Sequence, residues 1–108
     1  MIISDSISVA ANSRSTNVLA GQQFEFLPAR ASVQLRAASA ATGIRADMNL
    51  GGEQLAVDTL VPPTNRFPIA PDDTMLTTTG VKGERLFLTF RNTTAGAIVV
   101  QYVVEIMP

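Results

Sequence analysis

The stretch LTFRNTTAGAIVVQYVVEI, residues 88–106, decides which fold class this chain can adopt. Its first part alternates between apolar and polar residues, and its last part is apolar at nearly every position. A short run of polar and small residues, NTTAG, separates the two parts. This pattern indicates two β-strands and a turn, because successive side chains of a strand point to opposite faces of its sheet. We therefore predict a closing hairpin made of residues 85–91 and 97–106.

The same period of two recurs throughout the preceding part of the chain. For example, Ile44 and Ala46 alternate with Arg45, and the pair Gly51-Gly52 that follows is typical of a two-residue hairpin turn. Further strands are predicted at residues 4–11, 23–27, 32–38, 44–50, 54–61 and 74–79.

Two segments interrupt this simple pattern. The segment PPTNRFPIAPDD, residues 62–73, holds four of the chain's six prolines. Proline cannot donate to a sheet ladder, so we predict a long ordered loop there, with Phe67 and Ile69 as plugs. The segment RASVQLRAASAA, residues 30–41, admits a helix because alanine is a strong helix former, but its alternation favours a strand.

These elements predict an all-β chain with a single domain at residues 1–108. About eight short antiparallel strands favour a two-sheet β-sandwich, and a jelly roll is the preferred arrangement. An immunoglobulin-like sandwich is the alternative, although the chain has no cysteine pair and no tryptophan for the core of an antibody-type domain. In the predicted core, Phe24, Phe26 and Phe90 take inward positions.

The charge of the chain is low for a soluble domain. Only 16% of its 108 residues are charged and its formal net charge is −1, whereas about 25% is typical. The near-neutral balance argues against nucleic-acid binding, which needs clustered cations. It fits either a sheet protein whose surface polarity comes from Ser, Thr, Asn and Gln, or a surface that is largely covered by partners, since near-neutral proteins associate more readily. The start of the chain has no signal-peptide pattern and no apolar run suits a membrane helix. We therefore expect the protein to be made in a cytosol and to work there or in a particle assembled there.

The amino-acid composition provides few side chains that could act in catalysis. The chain has no His and no Cys, which excludes a Ser–His or Cys–His nucleophile and makes a zinc site improbable. Asp72-Asp73 is the one adjacent pair of carboxylates; it fits either a hard-cation site or, with more weight, a turn in which an Asp caps backbone amides. A glycosidase-like pair would need Glu25, Glu53 or Glu105, all at outward strand positions where charges are usual. We predict no catalytic, cofactor-binding or metal-binding residues, and no cofactor.

An interface is the most informative prediction from the closing hairpin. If its strands pair, Phe87, Val99 and Val103 form an apolar patch with a polar border, and such patches often mark partner sites. The alternative is that the N-terminal segment or the proline-rich loop covers the patch within one chain. Arg36 and Arg45 are candidates to share a face and meet an acidic partner, or else to be solvated.

A resemblance extends this reading over most of the chain. The closing segment GERLFLTFRNTTAGAIVVQYVVEI and the earlier segment NVLAGQQFEFLPARASVQLRA resemble the small β-sandwich structural proteins of bacteriophage virions, namely decoration (cement) and minor capsid proteins. The resemblance implies a homo-oligomer, often a trimer, that sits on an icosahedral shell in the virion and bridges neighbouring copies of a major capsid protein. It transfers no functional residue.

Three other functions stay open from the sequence. The first is a jelly-roll subunit of the shell itself. The second is a carbohydrate- or receptor-binding β-sandwich, for which Tyr102 and Phe67 would supply aromatic contacts. The third, a small enzyme, is the weakest because of the residue inventory.

Overall fold

A computed structural model describes residues 2–21, 25–69 and 72–107 of the chain. The described residues form two antiparallel sheets and contain no helix, so the prediction of an all-β, two-sheet protein is confirmed. The alternative of a helix at residues 30–41 is wrong, because a strand occupies Ala31–Ser39. The strands are β1 (Ile2–Val9), β2 (Ala31–Ser39), β3 (Ile44–Leu50), β4 (Glu53–Leu60), β5 (Thr74–Gly80), β6 (Leu86–Asn92) and β7 (Ile98–Met107).

The strands divide between a four-stranded and a three-stranded sheet. The four-stranded sheet has the order β1-β7-β2-β5, and the three-stranded sheet has the order β4-β3-β6. The predicted closing hairpin is therefore wrong, since β6 and β7 lie in different sheets. Residues 93–97 carry the chain across, and buried Asn92 fixes this crossing by donating to the carbonyls of Val9 and Gly96 at 3.0 and 2.7 Å.

Strand β7 is a central strand whose inward face is hydrophobic, while its outward face mixes Val99 and Val103 with Gln101 and Glu105. It lies between β1 and β2, and its inward side chains enter the core between the sheets. The inward residues are Ile98, Val100, Tyr102, Val104 and Ile106, each at most 7% exposed. Burying an aliphatic side chain of this size contributes about 1.5–3 kcal/mol, so this strand is a principal part of the core.

One predicted hairpin is confirmed. Strands β3 and β4 pair antiparallel, with Leu50 opposite Glu53 across the turn at Gly51-Gly52. Gly51 has a φ of 61°, and a two-residue turn that begins with a positive φ favours glycine, asparagine or aspartate at that position.

The predicted strand at residues 23–27 is only partly open to comparison, because residues 22–24, Phe24 among them, lie outside the described residues. The described residues 25–27 form no strand, and Phe26 makes a single antiparallel bridge to Arg85. The predicted core position of Phe26 is wrong, since it is 55% exposed. The prediction for Phe90 is confirmed, since its ring is fully buried with its centroid 5.7 Å from that of Tyr102.

An irregular segment takes the place of a strand beside β6. Residues 12–19 and 25–27, which we call the covering segment, run antiparallel to the outer edge of β6. The amides of Ser15 and Val18 donate to the carbonyls of Phe90 and Leu88 at 2.7 and 2.9 Å. The segment therefore satisfies backbone groups that an edge strand would otherwise expose.

The described residues of the proline-rich segment, 62–69 and 72–73, form an ordered loop, as predicted. It extends the line of β5 along β2: Ser39 donates its amide to the carbonyl of Pro62 at 3.0 Å, and Asn65 donates to the carbonyl of Ser39 at 3.0 Å. The prediction that Phe67 and Ile69 act as plugs is wrong, because they are 57% and 43% exposed.

Candidate interaction surfaces

The residues predicted to form one apolar patch lie on two different surfaces. Phe87 belongs to β6 in the three-stranded sheet, whereas Val99 and Val103 belong to β7 in the four-stranded sheet. The guanidinium of Arg85 lies 5.7 Å from the centre of the Phe87 ring and covers it in part. The predicted patch of three is therefore not formed, because it depended on the pairing of β6 with β7.

Val99 and Val103 share a face but differ in exposure. Both point away from the core on β7, where Val99 is 46% exposed and Val103 only 1%. In the strand register Val103 lies between Ser4 of β1 and Arg36 of β2. Val99 is thus the one of the pair that offers surface to a partner, and a contact there stays a prediction.

The two arginines predicted to share a face lie in different sheets. Arg36 of β2 donates to Glu105 at 3.0 Å and to Gln34 at 2.6 Å, and its side chain is only 14% exposed. Arg45 of β3 donates to the carbonyl of Asp58 at 3.1 Å. Both cations are thus used within the chain, and a contact with an acidic partner stays a prediction for each.

The outer face of the four-stranded sheet is nearly free of charge, and we call it the small-residue face. The face carries a single ion pair, Arg36–Glu105, among its described strand positions. Its outward positions are Ser4, Ser6 and Ser8 of β1, Val99, Gln101, Val103 and Glu105 of β7, Ser32, Gln34, Arg36 and Ala38 of β2, and Thr77 and Thr79 of β5. Serine, threonine and alanine lose little rotamer freedom on burial, so the face is suited to being covered.

Exposed apolar side chains stand at the borders of the small-residue face. Val99 lies near one end of β7, while Met107 at the other end is 43% exposed. Ile2, which is 57% exposed, lies opposite Glu105 in the register and so borders the same face. Protein–protein interfaces usually have an apolar centre and a polar rim, so this face shares with them the scarcity of charge at its centre and differs in having its apolar groups at the border.

The outer face of the three-stranded sheet has the opposite character, because its charges are joined in a network. Arg14 donates to Asp47 and, at 3.0 Å, to Thr89. Asp47 also accepts the amide of Asp58 at 2.7 Å, where a bulge in β4 gives Asp58 a φ of 52°. Arg91 in turn binds both carboxylate oxygens of Asp58 at 2.6 and 2.8 Å. The charges named here are therefore already paired within the chain.

The pKa of Asp47 reflects that network. Burial opposes ionisation of its carboxylate, but the hydrogen bonds from Arg14 and from the Asp58 amide outweigh it, so the pKa lies below its ordinary value. Asp47 is thus held as an anion that anchors the network.

Asp73 organises the proline-rich loop from within. Its side chain is 1% exposed and accepts from Arg66 Nε at 3.1 Å and from the amide of Ile69 at 3.1 Å, with Thr64 Oγ1 at 3.4 Å. Burial alone would raise the pKa of Asp73, but these donors lower it overall. The interpretation of residues 72 and 73 as a turn with a capping Asp is confirmed for Asp73, whose carboxylate is paired with a guanidinium.

The other carboxylates considered for catalysis or metal binding lie on separate elements of the fold. Glu25 pairs with Arg85 at 2.6 Å beside β6, Glu53 begins β4, and Glu105 lies in the other sheet. The ranges 2–21, 25–69 and 72–107 hold no group of three or more acidic, His or Cys residues placed to bind a metal ion.

A shallow depression of about 400 Å³ lies between the covering segment and β6. It is lined by Arg14, Arg91, Asn12 and Asn92, among others. Both arginines are paired with carboxylates, so the depression has no uncompensated cation for an anionic ligand.

Sequence reasoning missed the small-residue face and the buried role of Asp73. The face could have been found from the outward positions of residues 4–8 and 32–38, which are mostly serine, glutamine and alanine. The burial of Asp73 leaves no such signal, because it depends on how the loop folds back onto Ile69.

Comparison of the chain with protein families, curated proteins and solved structures found no match. In the part of the chain that the structure describes, no helix is long and apolar enough to cross a membrane.

Proposed function

We propose that this chain is a non-enzymatic structural protein of a virion, a decoration or cement protein that stabilises an icosahedral shell through contacts between subunits. The observation that carries the proposal is the small-residue face, with its single ion pair and its border of Ile2, Val99 and Met107. Its partners would be further copies of itself and a major capsid protein, and its site of action would be the particle.

The strand pairing supports a jelly roll as the fold of this protein. A jelly roll is an antiparallel ribbon of eight strands, paired first with last and so on inward, that is wrapped into two sheets. If the covering segment counts as the second strand, the chain contains all four such pairs: β1 with β7, the segment with β6, β2 with β5, and β3 with β4. The wrapping contacts, β7 with β2 and β6 with β3, are also present.

Surfaces of this kind are suited to the subunits of a shell. Each contact between subunits can be weak, because symmetric repetition adds many contacts in one assembly. Serine, threonine and alanine fill seven of the thirteen outward positions named above, and because they have few rotamers to lose, these positions keep the entropy lost at each contact small.

A shell-building subunit is the second candidate, and the jelly-roll pairing favours it because viral capsid domains often use that fold. A carbohydrate-binding module has less support, since Tyr102 is 3% exposed and cannot stack on a sugar ring. Phe67 is 57% exposed but stands on the loop without a second exposed aromatic beside it among the described residues.

The proposal is tested by the protein content of particles released from the strain that encodes this chain. Particles are purified by density gradient, and the chain is quantified against the main shell protein by mass spectrometry. We expect a fixed, stoichiometric ratio across independent preparations. Absence from the particles, or a ratio that falls with each step of purification, would overturn the proposal.

A decoration protein and a shell subunit are separated by deletion of the gene. Loss of a decoration protein leaves shells that assemble but break at lower temperature or lower salt. Loss of a shell subunit prevents assembly.

A further inference from the structure

We propose that the outer edge of β5 (Thr74–Gly80) pairs with the same edge of a second copy of this chain. The two strands would run antiparallel about a two-fold axis and join two four-stranded sheets into one. This contact supplies the homo-oligomer that the proposed function requires, and to that extent it rests on that function. Its geometry rests on β5 alone.

The other three sheet edges each carry a feature that opposes pairing with another chain. The edge of β6 is bonded by the covering segment. Strand β4 is interrupted by the bulge at Asp58, which has a positive φ of 52°. On β1, the carboxylate of Asp5 accepts the amide of Ser6 at 2.8 Å, so a charge and a local hydrogen bond occupy that edge. Charges, bulges and covering segments are the usual means by which edges avoid association.

The edge of β5 lacks these features over most of its length. Its sequence, TMLTTTG, has no charged residue and no proline. Among the described residues its backbone is paired with β2 alone, and Thr77 and Thr79 are exposed. The register shift opposite Leu35 and Arg36 affects only the start of the strand, so the rest is a regular ladder. An exposed, uncharged edge of this kind is a template for another strand.

The partner that this edge fits is a second copy, because the charges at its two ends complement each other. Asp72 precedes the strand with its side chain 64% exposed, and exposed Lys82 follows it. Both residues are five positions from Thr77 in the sequence. A two-fold axis at Thr77 therefore brings the turn that holds Asp72 in one copy near the turn that holds Lys82 in the other, twice in each dimer.

The side chains within the strand are also self-complementary. About the same axis, Thr77 meets Thr77 of the second copy, and Leu76 meets Thr78. Cross-strand threonine pairs stabilise antiparallel sheets, and such a pairing brings no like charges together. A contact in which the same patch serves both copies closes at two subunits, so it gives a dimer and not an open fibre.

The inference is tested by sedimentation velocity over a range of micromolar concentrations. We expect wild-type protein to sediment at twice the chain mass of 11.5 kDa, and Thr77→Lys to weaken the dimer by about tenfold or more, because two lysines would face each other at the axis. Thr59→Lys is the matched control, since Thr59 is also an exposed strand threonine but lies on β4. It should leave the mass unchanged.

A charge exchange tests the register directly. Asp72→Lys and Lys82→Asp should each weaken the dimer, and the double variant should restore most of the loss. A wild-type monomer, a trimer, or a dimer that is indifferent to Thr77→Lys would overturn the inference. The ratio of this chain to the main shell protein in particles is measured separately. A monomeric Thr77→Lys protein that still occurs in particles would leave the proposed function intact. A normal dimer that is absent from particles would overturn the proposed function alone.

Discussion

Asp73 is the residue on which the proline-rich loop depends. A carboxylate that is almost fully buried is unfavourable unless donors surround it, and here a guanidinium, an amide and a hydroxyl do so. The same donors tie Thr64, Arg66 and Ile69 to the start of β5. The position of this loop beside β2 is therefore set largely by one side chain.

Replacing Asp73 by Asn should lower the free energy of unfolding by about 1.5–3 kcal/mol, the usual contribution of hydrogen bonds to a charged group. Asp72→Asn is the matched control, because its side chain is 64% exposed and 3.8 Å from Arg66. An exposed pair of that kind contributes about 0–1 kcal/mol. Urea denaturation measures both variants, and equal losses would contradict the assigned role of Asp73.

Acid should destabilise the protein through its buried carboxylates. The pKa values of Asp47 and Asp73 are lower in the folded chain than the ordinary value, which is about 3.9. Their stabilisation is therefore complete above that value and is lost as the pH falls through the lowered folded values. We expect the melting temperature to be level near neutral pH and to fall below about pH 4. The Asp73→Asn variant should show a smaller fall, and an identical fall would contradict this explanation.

At the scale of elements, the alternation of apolar residues predicted most strands and their inward faces. It failed on the pairing of β6 and β7. A two-residue period shows which residues of a strand share a face, but it does not show which other strand lies beside that strand. It also failed on the covering segment, where Asn17 and Ser15 provide hydrogen bonds that a regular strand would supply from its backbone. Side-chain bonding of this kind leaves no periodic signal.

Asn17 should be the most sensitive position of the covering segment. It is 9% exposed, donates to the carbonyl of Leu86 at 3.3 Å and accepts the amides of Leu19 and Leu88 at 3.1 and 3.0 Å. Asn17→Ala leaves these groups without partners, at a cost of about 1–3 kcal/mol. Hydrogen exchange at Leu88 should become faster, whereas the exposed neighbour variant Thr16→Ala should leave it unchanged. Unchanged protection in Asn17→Ala would show that the segment does not depend on this side chain.

At the scale of the whole molecule, the two outer faces differ in how their polar groups are satisfied. The three-stranded sheet binds its charges into a network of its own, while the four-stranded sheet presents short neutral side chains and exposed apolar groups at its borders. The low charge of the sequence left open both a surface covered by partners and a sheet with an ordinary uncharged polar surface. The particular face could not be predicted, because it depends on β7 lying between β1 and β2 and not beside β6.

The central claim is that the small-residue face is covered in the assembled particle. Oxidative footprinting of methionines tests it, since Met107 at the border of the face is 43% exposed and Met48 in the core is fully buried. We predict that Met107 oxidises readily in the free protein and several-fold more slowly in purified particles, with Met48 slow in both. Equal oxidation of Met107 in the free and particle-bound protein would contradict the claim.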